Sequence, residues 1–210
     1  MSGRDDGLAV LPYGDRALLV EVAGLDAVAA VRAALEHDPL PGQVDLVPAA
    51  RTVLVLLDRP PADTDAARLR RLSLTPPADD DDAVRAVDLP VVFDGPDLDD
   101  VASLTGLAVP QLVGELTAAE LTVAFGGFAP GFGYLTGLPE RLHVPRRSTP
   151  RTRVPPGSVG LAGPFAGAYP RASPGGWQLV GRTDAVLFDV DRDPPALLRP
   201  GTRVRLREVR

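Results

Sequence analysis

A small ferredoxin-like α+β unit followed by a mostly β, closed or nearly closed barrel is the fold class this sequence predicts, and three observations predict it. The early part alternates strand-type and helix-type patterns in the order βαββα. Residues Gly126 to Gly181 hold 12 of the 21 glycines and nine of the 23 prolines, a density that excludes helix and suits short strands joined by turns. Between the two parts, Thr75-Pro76-Pro77-Ala78 and four aspartates, Asp79 to Asp82, continue neither pattern. The expected boundaries are 1–78 for the α+β unit, 79–83 for an acidic linker and 84–210 for the barrel.

In chain order, Ala17 to Val22 is a β-type run. Leu25 to His37 places Leu25, Val28, Val31 and Leu35 at helical spacing. Val44 to Val47 and Thr52 to Leu57 read as strands around a turn at Pro48-Ala49-Ala50-Arg51. Asp63 is placed to cap a helix running through Leu72. The second part opens with a strand from Val84 to Phe93. Pro96 and Asp97 then start a short helix that Gly106 ends, and Pro110 starts another with an apolar stripe of Leu112, Val113 and Leu116. Short strands follow at Leu121 to Phe125, Val159 to Ala162, Trp177 to Val180, Val186 to Val190 and Arg203 to Arg207.

Composition removes several chemistries. The 210 residues contain no cysteine, so disulfides, thiolate zinc sites and thiol nucleophiles are excluded. Two histidines, His37 and His143, do not make a His-built metal site, and no metal is expected. All 22 basic residues are arginine, which excludes a Schiff-base lysine and a P-loop lysine. A net charge of -6 argues against nucleic acid as a partner. No apolar run approaches the roughly 20 residues needed to span a bilayer, and the acidic start MSGRDDGLAV lacks the core of a signal peptide. The expected location is the cytoplasm.

Charge is unevenly spread. Arg141 to Thr183 carries seven arginines and no acid, while 15 arginines face 28 acids elsewhere. A basic segment in an acidic chain suits a small anionic ligand such as a carboxylate or phosphate. Within it, Pro145-Arg146-Arg147-Ser148-Thr149-Pro150-Arg151 holds arginines between stiffening prolines, so Arg146 and Arg151 could each grip an oxyanion. Ser158, in Val154-Pro155-Pro156-Gly157-Ser158, offers a hydroxyl or an amide; no base lies near it in sequence to make it a nucleophile. Phe128, Phe132 and Tyr134 alternate within Gly126-Gly127-Phe128-Ala129-Pro130-Gly131-Phe132-Gly133-Tyr134-Leu135, where they line a ligand face or anchor a tight barrel corner. Trp177, the one tryptophan, reads first as a core anchor, and Gly175-Gly176 beside it leaves backbone amides accessible.

These segments, with Tyr169-Pro170 and Ser173-Pro174-Gly175-Gly176-Trp177 running into Gly181-Arg182-Thr183 and a final Pro200-Gly201-Thr202-Arg203-Val204-Arg205, together resemble the allophanate hydrolase subunit 1 family, which includes the B-type subunit of bacterial 5-oxoprolinase and a histidine-kinase inhibitor. The resemblance is sharp from Leu121 to Arg207 and looser from Leu11 to Val92, where Tyr13-Gly14-Asp15-Arg16-Ala17 is similar to the family's opening motif. It implies a cyclophilin-like barrel, a second subunit as partner, and ATP as co-substrate of the complex. The implied activity is that of an ATP-dependent amidohydrolase subunit, inactive alone, acting on 5-oxo-L-proline to give L-glutamate. The alternatives it leaves are a kinase inhibitor or the carboxyltransferase half of a urea-degrading system. On this reading Arg151, Ser158 and Tyr134 are the candidate catalytic residues. Arg146, Arg182, Gly131, Phe132, Gly175, Gly176 and Trp177 are the candidate substrate-binding ones. One position departs: Leu116 stands where the family usually has a histidine. If that histidine moves a proton, its loss matters; if it is structural, Leu116 joins the core.

Overall fold

The structure is a computed structural model that describes residues 8–74 and 86–210. They fall into two compact units, one within Met1–Asp82 and the other within Ala83–Arg210. The expected linker at 79–83 lies outside the described residues.

The first unit runs β1 (Ala9–Tyr13), β2 (Ala17–Glu21), α1 (Leu25–His37), β3 (Gln43–Pro48), β4 (Thr52–Leu57) and α2 (Asp63–Leu69). Its antiparallel sheet has the order β1-β2-β4-β3. From β2 onward this is the expected βαββα arrangement, with β1 added as an edge strand before it. Alternation decides the buried face: Val53, Val55 and Leu57 point inward from β4 and pack with Val20, Val28, Val31, Leu35 and Leu69. The second helix starts at Asp63, the residue expected to cap it. Ala62 is the N-cap, and Asp65 accepts the Ala62 N–H at 2.7 Å while pairing with Arg59 at 2.7 Å. It ends at Leu69 rather than Leu72.

The second unit comprises β5 (Ala86–Val91), α3 (Leu98–Thr105), α4 (Val109–Ala118), β6 (Leu121–Gly126), β7 (Gly133–Thr136), β8 (Arg151–Val154), β9 (Ser158–Ala162), β10 (Phe165–Ala168), β11 (Ser173–Gly175), β12 (Gln178–Arg182) and β13 (Arg203–Glu208). Seven strands form one sheet in the order β12-β9-β10-β7-β6-β13-β5, while β8 and β11 form a separate ribbon. The two edges meet just past β5, where Val92 and Arg182 exchange two backbone hydrogen bonds of 2.9 Å. The sheet is therefore nearly closed into a barrel.

That seam needs glycine. A Cβ on Gly181 would lie 2.5 Å from the Val92 carbonyl oxygen, and one on Gly95 would lie 2.3 Å from that of Leu179. The apolar stripes of α3 and α4 share one core with the sheet. Val101, Leu112 and Leu116 are fully buried there with Leu89, Leu121, Leu135 and Leu206. Leu116 thus occupies a core position. Gly106 ends α3 in the left-handed conformation, as expected, with φ 70°. The expected strand at Val186 to Val190 does not form. Phe188 makes one isolated bridge to Ala196, and Val186 and Val190 stay exposed. No described helix is long and apolar enough to cross a membrane.

Candidate functional site

An aromatic cluster gathers at one region of the barrel. Phe132, Tyr169 and Trp177 are buried together with Val154 and Leu179, and Tyr134 and Phe165 pack against them. Tyr134 stacks on Phe125 at 4.4 Å between ring centroids and meets Phe132, Phe165 and Trp177 edge-on at 5.0 to 5.6 Å. Phe132 meets Tyr169 and Trp177 edge-on at 5.3 and 5.4 Å. The alternation of aromatics in the sequence therefore does bring them together, but around a loop rather than along an extended face. Residues 127–132 join β6 to β7, and Phe128 stands at φ 64° and is 55% exposed. A left-handed, exposed aromatic is a strained placement. The ring is held by edge contacts to Phe132 and Tyr169. An open groove of about 490 Å³ runs beside this loop, lined by Phe128, Pro130, Leu198 and Arg199 among others.

A charged network adjoins the cluster, and sequence reasoning missed its centre. Asp97, 1% exposed, is the N-cap residue of α3, but its side chain makes no capping hydrogen bond. Its carboxylate instead accepts hydrogen bonds from Arg147, from Arg151 at 2.7 Å and from the Leu179 N–H at 2.7 Å. Burial pushes this carboxyl up, but the Arg151 hydrogen bond, the Leu179 amide and the charges of Arg151 and Arg147 outweigh it and hold it below the usual carboxylate range. Two guanidiniums on one carboxylate leave a surplus positive charge. Nε of Arg147 and Nη1 of Arg151 are buried without a hydrogen-bond partner among the described residues.

The acid-free stretch of sequence is thus not acid-free in space. Asp97 serves Arg147 and Arg151, Asp94 pairs with Arg182 at 3.0 Å, and Glu115 pairs with Arg141. The Arg182–Asp94 pair is about half exposed on both sides and holds Arg182 weakly. Arg146 is exposed and lines a groove of about 470 Å³ with Asp100, Ser103, Ser148 and Gln178.

The remaining predicted residues fall as follows. Ser158 is buried in β9, where its carbonyl accepts the Tyr169 N–H at 2.9 Å. Trp177 is 4% exposed, an anchor of the aromatic cluster. Gly131, at φ 82°, lies under Phe188, whose Cβ would be 2.6 Å from an added Cβ. Gly176 accepts the Arg147 N–H at 2.8 Å and packs on Pro150. Gly175 sits opposite Arg151 across the β8–β11 ribbon and leaves room for the Tyr169 hydroxyl, which would be 2.6 Å from a Cβ there. Tyr134, Phe132, Trp177, Gly175 and Arg151 therefore converge, and Tyr169, absent from the sequence-based set, joins them. Its signal was the Tyr-Pro pair ahead of the Ser-Pro-Gly-Gly-Trp segment.

Residues 8–198 match the carboxyltransferase domain family, subdomains C and D. The chain belongs to this family. Among carboxyltransferase-domain relatives, it is 46% identical over 171 residues to the B-type subunit of 5-oxoprolinase from Escherichia coli O157:H7, covering 79% of this chain and 78% of that one. It is 34% identical over 215 residues to the B-type subunit of 5-oxoprolinase from Bacillus subtilis (strain 168), covering 91% and 89%. The crystal structure of TTHA0988 superposes with a TM-score of 0.77 at 35% identity, over 93% of this chain and 40% of that chain. This carboxyltransferase-domain chain thus spans two fifths of the length of that protein. Among its described residues, no group of three or more His, Asp or Glu is placed to hold a metal ion.

Proposed function

We propose that this chain is the B-type subunit of an ATP-dependent 5-oxoprolinase, acting in the cytoplasm with a second subunit to open 5-oxo-L-proline to L-glutamate. The observation that carries this reading is the 46% identity, over 79% of the chain, to a protein of that name. The geometry supports it in kind. An aromatic-walled region beside surplus guanidinium charge suits a compact ring bearing a carboxylate. Arg146 and Arg182 supply charge to the anionic groups, Arg151 polarises from its seat on Asp97, and Tyr134 orients the ring. Ser158 acts through the backbone that fixes Tyr169. Gly131, Gly175 and Gly176 shape the walls, with Phe132 and Trp177 behind them. The cyclophilin-like kinship of the barrel belongs to this proposal.

In the reaction, the ring amide C–N bond breaks and water supplies the oxygen of the new carboxylate, coupled to ATP hydrolysis in the complex. None of the converging side chains is a histidine or free carboxylate suited to take a proton from that water. The general base therefore comes from the partner. Co-expression with the product of the neighbouring open reading frame should give 5-oxoproline-dependent ATP hydrolysis. Activity no greater than that of either subunit alone overturns the reading. A carboxyltransferase half is the second reading, supported by the family's description; it requires transfer to depend on a separate biotin carrier, since this chain has no lysine.

A further inference from the structure

We infer that the groove between α3 and residues 145–148 is a binding site for inorganic phosphate, read as hydrogen phosphate by an arginine donor and a glutamine acceptor. The inference stands apart from the proposed reaction, since it uses neither the aromatic cluster nor a partner subunit.

The groove measures about 470 Å³ and is lined, among others, by Asp100 of α3, by Pro145, Arg146, Arg147 and Ser148, and by Gln178 of β12. Two of these side chains hold polar atoms that the fold leaves unspent. Gln178 is 7% exposed. Its Nε2 donates to the Pro145 carbonyl at 3.1 Å, which fixes the amide head against another residue of the groove wall. Its Oε1 is then left buried without a partner among the described residues. Arg147 is held at both ends. Its backbone N–H donates to Gly176 at 2.8 Å, and its Nη1 donates to Asp97. Its Nε, like Gln178 Oε1, is buried without a partner among the described residues. Arg147 and Gln178 are brought together because these two bonds, Arg147 to Gly176 and Gln178 to Pro145, tie the same two segments. A buried donor and a buried acceptor left unpaired are uncommon and cost stability.

The surroundings are positive. Arg147 and Arg151 share Asp97, and Arg146 pairs with no carboxylate among the described residues. Three guanidiniums therefore meet two carboxylates, Asp97 and Asp100, and the surplus charge draws an anion. The acceptor decides which anion. Sulfate and carboxylates carry only acceptors near neutral pH and would set an oxygen against Gln178 Oε1. Hydrogen phosphate carries both kinds of group. Its charged oxygens accept from Arg147 Nε and Arg146, and its P–OH donates to Gln178 Oε1. Both unspent atoms are buried, so the ion reaches them as the exposed lining side chains, Arg146 and Ser148, close around it. A site built on a donor and an acceptor rejects the analogue that leaves one of them unpaired.

The test titrates the full chain calorimetrically near neutral pH, at constant ionic strength, with inorganic phosphate, sulfate, acetate and ADP. Phosphate should bind about tenfold more tightly than sulfate or acetate. It should also bind more tightly than ADP, whose terminal phosphate has mostly lost its last proton at that pH. Arg146→Ala, at an exposed position, should weaken phosphate about tenfold. Gln178→Leu should weaken phosphate, leave sulfate unchanged and so erase the preference. Arg199→Ala, in the groove beside the 127–132 loop, should leave phosphate binding as it is. The inference fails if phosphate does not bind in the millimolar range, if sulfate or acetate binds as tightly, or if Arg199→Ala costs as much as Arg146→Ala. ADP binding more tightly than phosphate would overturn the free ion as the ligand. Should Gln178→Leu not fold, the wild-type preference and Arg146→Ala still decide. No ATP turnover enters the readout, so an inactive complex leaves the result standing.

Discussion

Asp97 and Arg151 lie 54 positions apart and share a 2.7 Å hydrogen bond inside a site where the carboxylate is almost wholly buried. The pair explains how a loop segment rich in proline and arginine is held against the barrel. Arg147 and Arg151 are tethered to the start of α3, and through the Leu179 amide to β12. Removing the carboxylate leaves two guanidiniums facing each other without compensation. Asp97→Ala should cost about 3 kcal/mol in chemical denaturation at pH 7. The pH dependence has a definite sign. The folded carboxyl sits below its unfolded value of about 3.9, so its contribution is present above that value and lost as pH falls through the folded one. Wild type should therefore lose stability faster than Asp97→Asn below about pH 4. Parallel acid profiles for the two would mean that the carboxylate is not held in this way.

Local pattern carried much of the fold. The apolar, β-branched run Thr52–Leu57 marks β4, and Gly106 marks the end of α3. The edge strand β1 escaped because Pro12 interrupts its pattern, as proline does at sheet edges. Val186 to Val190 looks like a strand, yet only Phe188 finds a bridging partner, and the segment runs on into Asp193, Pro194 and Pro195. The site was legible where its residues share one motif, as with Phe132 and Tyr134. It was not legible where pairing is long-range. Asp97 reads as a helix cap because its neighbours are helical, whereas its partners lie 50, 54 and 82 positions away. The seat of the Tyr169 hydroxyl depends on Gly175 arriving on β11.

The barrel seam should tolerate almost nothing at Gly181. Beside the Val92 oxygen, an added Cβ would also meet Val91 Cγ1 at 2.9 Å. Gly181→Ala must push β12 away from the chain just past β5 and break the two bonds that close the sheet. A loss of about 2 kcal/mol is expected, read from the denaturation midpoint. A variant as stable as wild type would show that the two edges do not meet this closely.

Leu116 gives a direct test of the family's usual histidine. The side chain is fully buried among Leu112, Leu121 and their neighbours. Leu116→His would place an imidazole where burial disfavours a polar group without a partner, at a cost of about 2 kcal/mol. It should not raise the turnover of the assembled enzyme. A gain in turnover with unchanged melting would assign the position to proton transfer after all.

Phe128 offers a measurement of stored strain. At φ 64° a residue with a side chain is disfavoured, and Phe128 is more than half exposed, so ring contacts to Phe132 and Tyr169 offset only part of the backbone cost. Phe128→Ala loses the ring and keeps the strain. Phe128→Gly loses both. At ordinary positions glycine is the less stable of the two, by roughly 0.5–1 kcal/mol. Here the order should invert, with Phe128→Gly more stable than Phe128→Ala by about 1 kcal/mol. The comparison cancels the ring, since both variants lack it, and so isolates the backbone term. Paired thermal melts of the two variants decide it: alanine melting higher than glycine would rule out a left-handed residue at this turn.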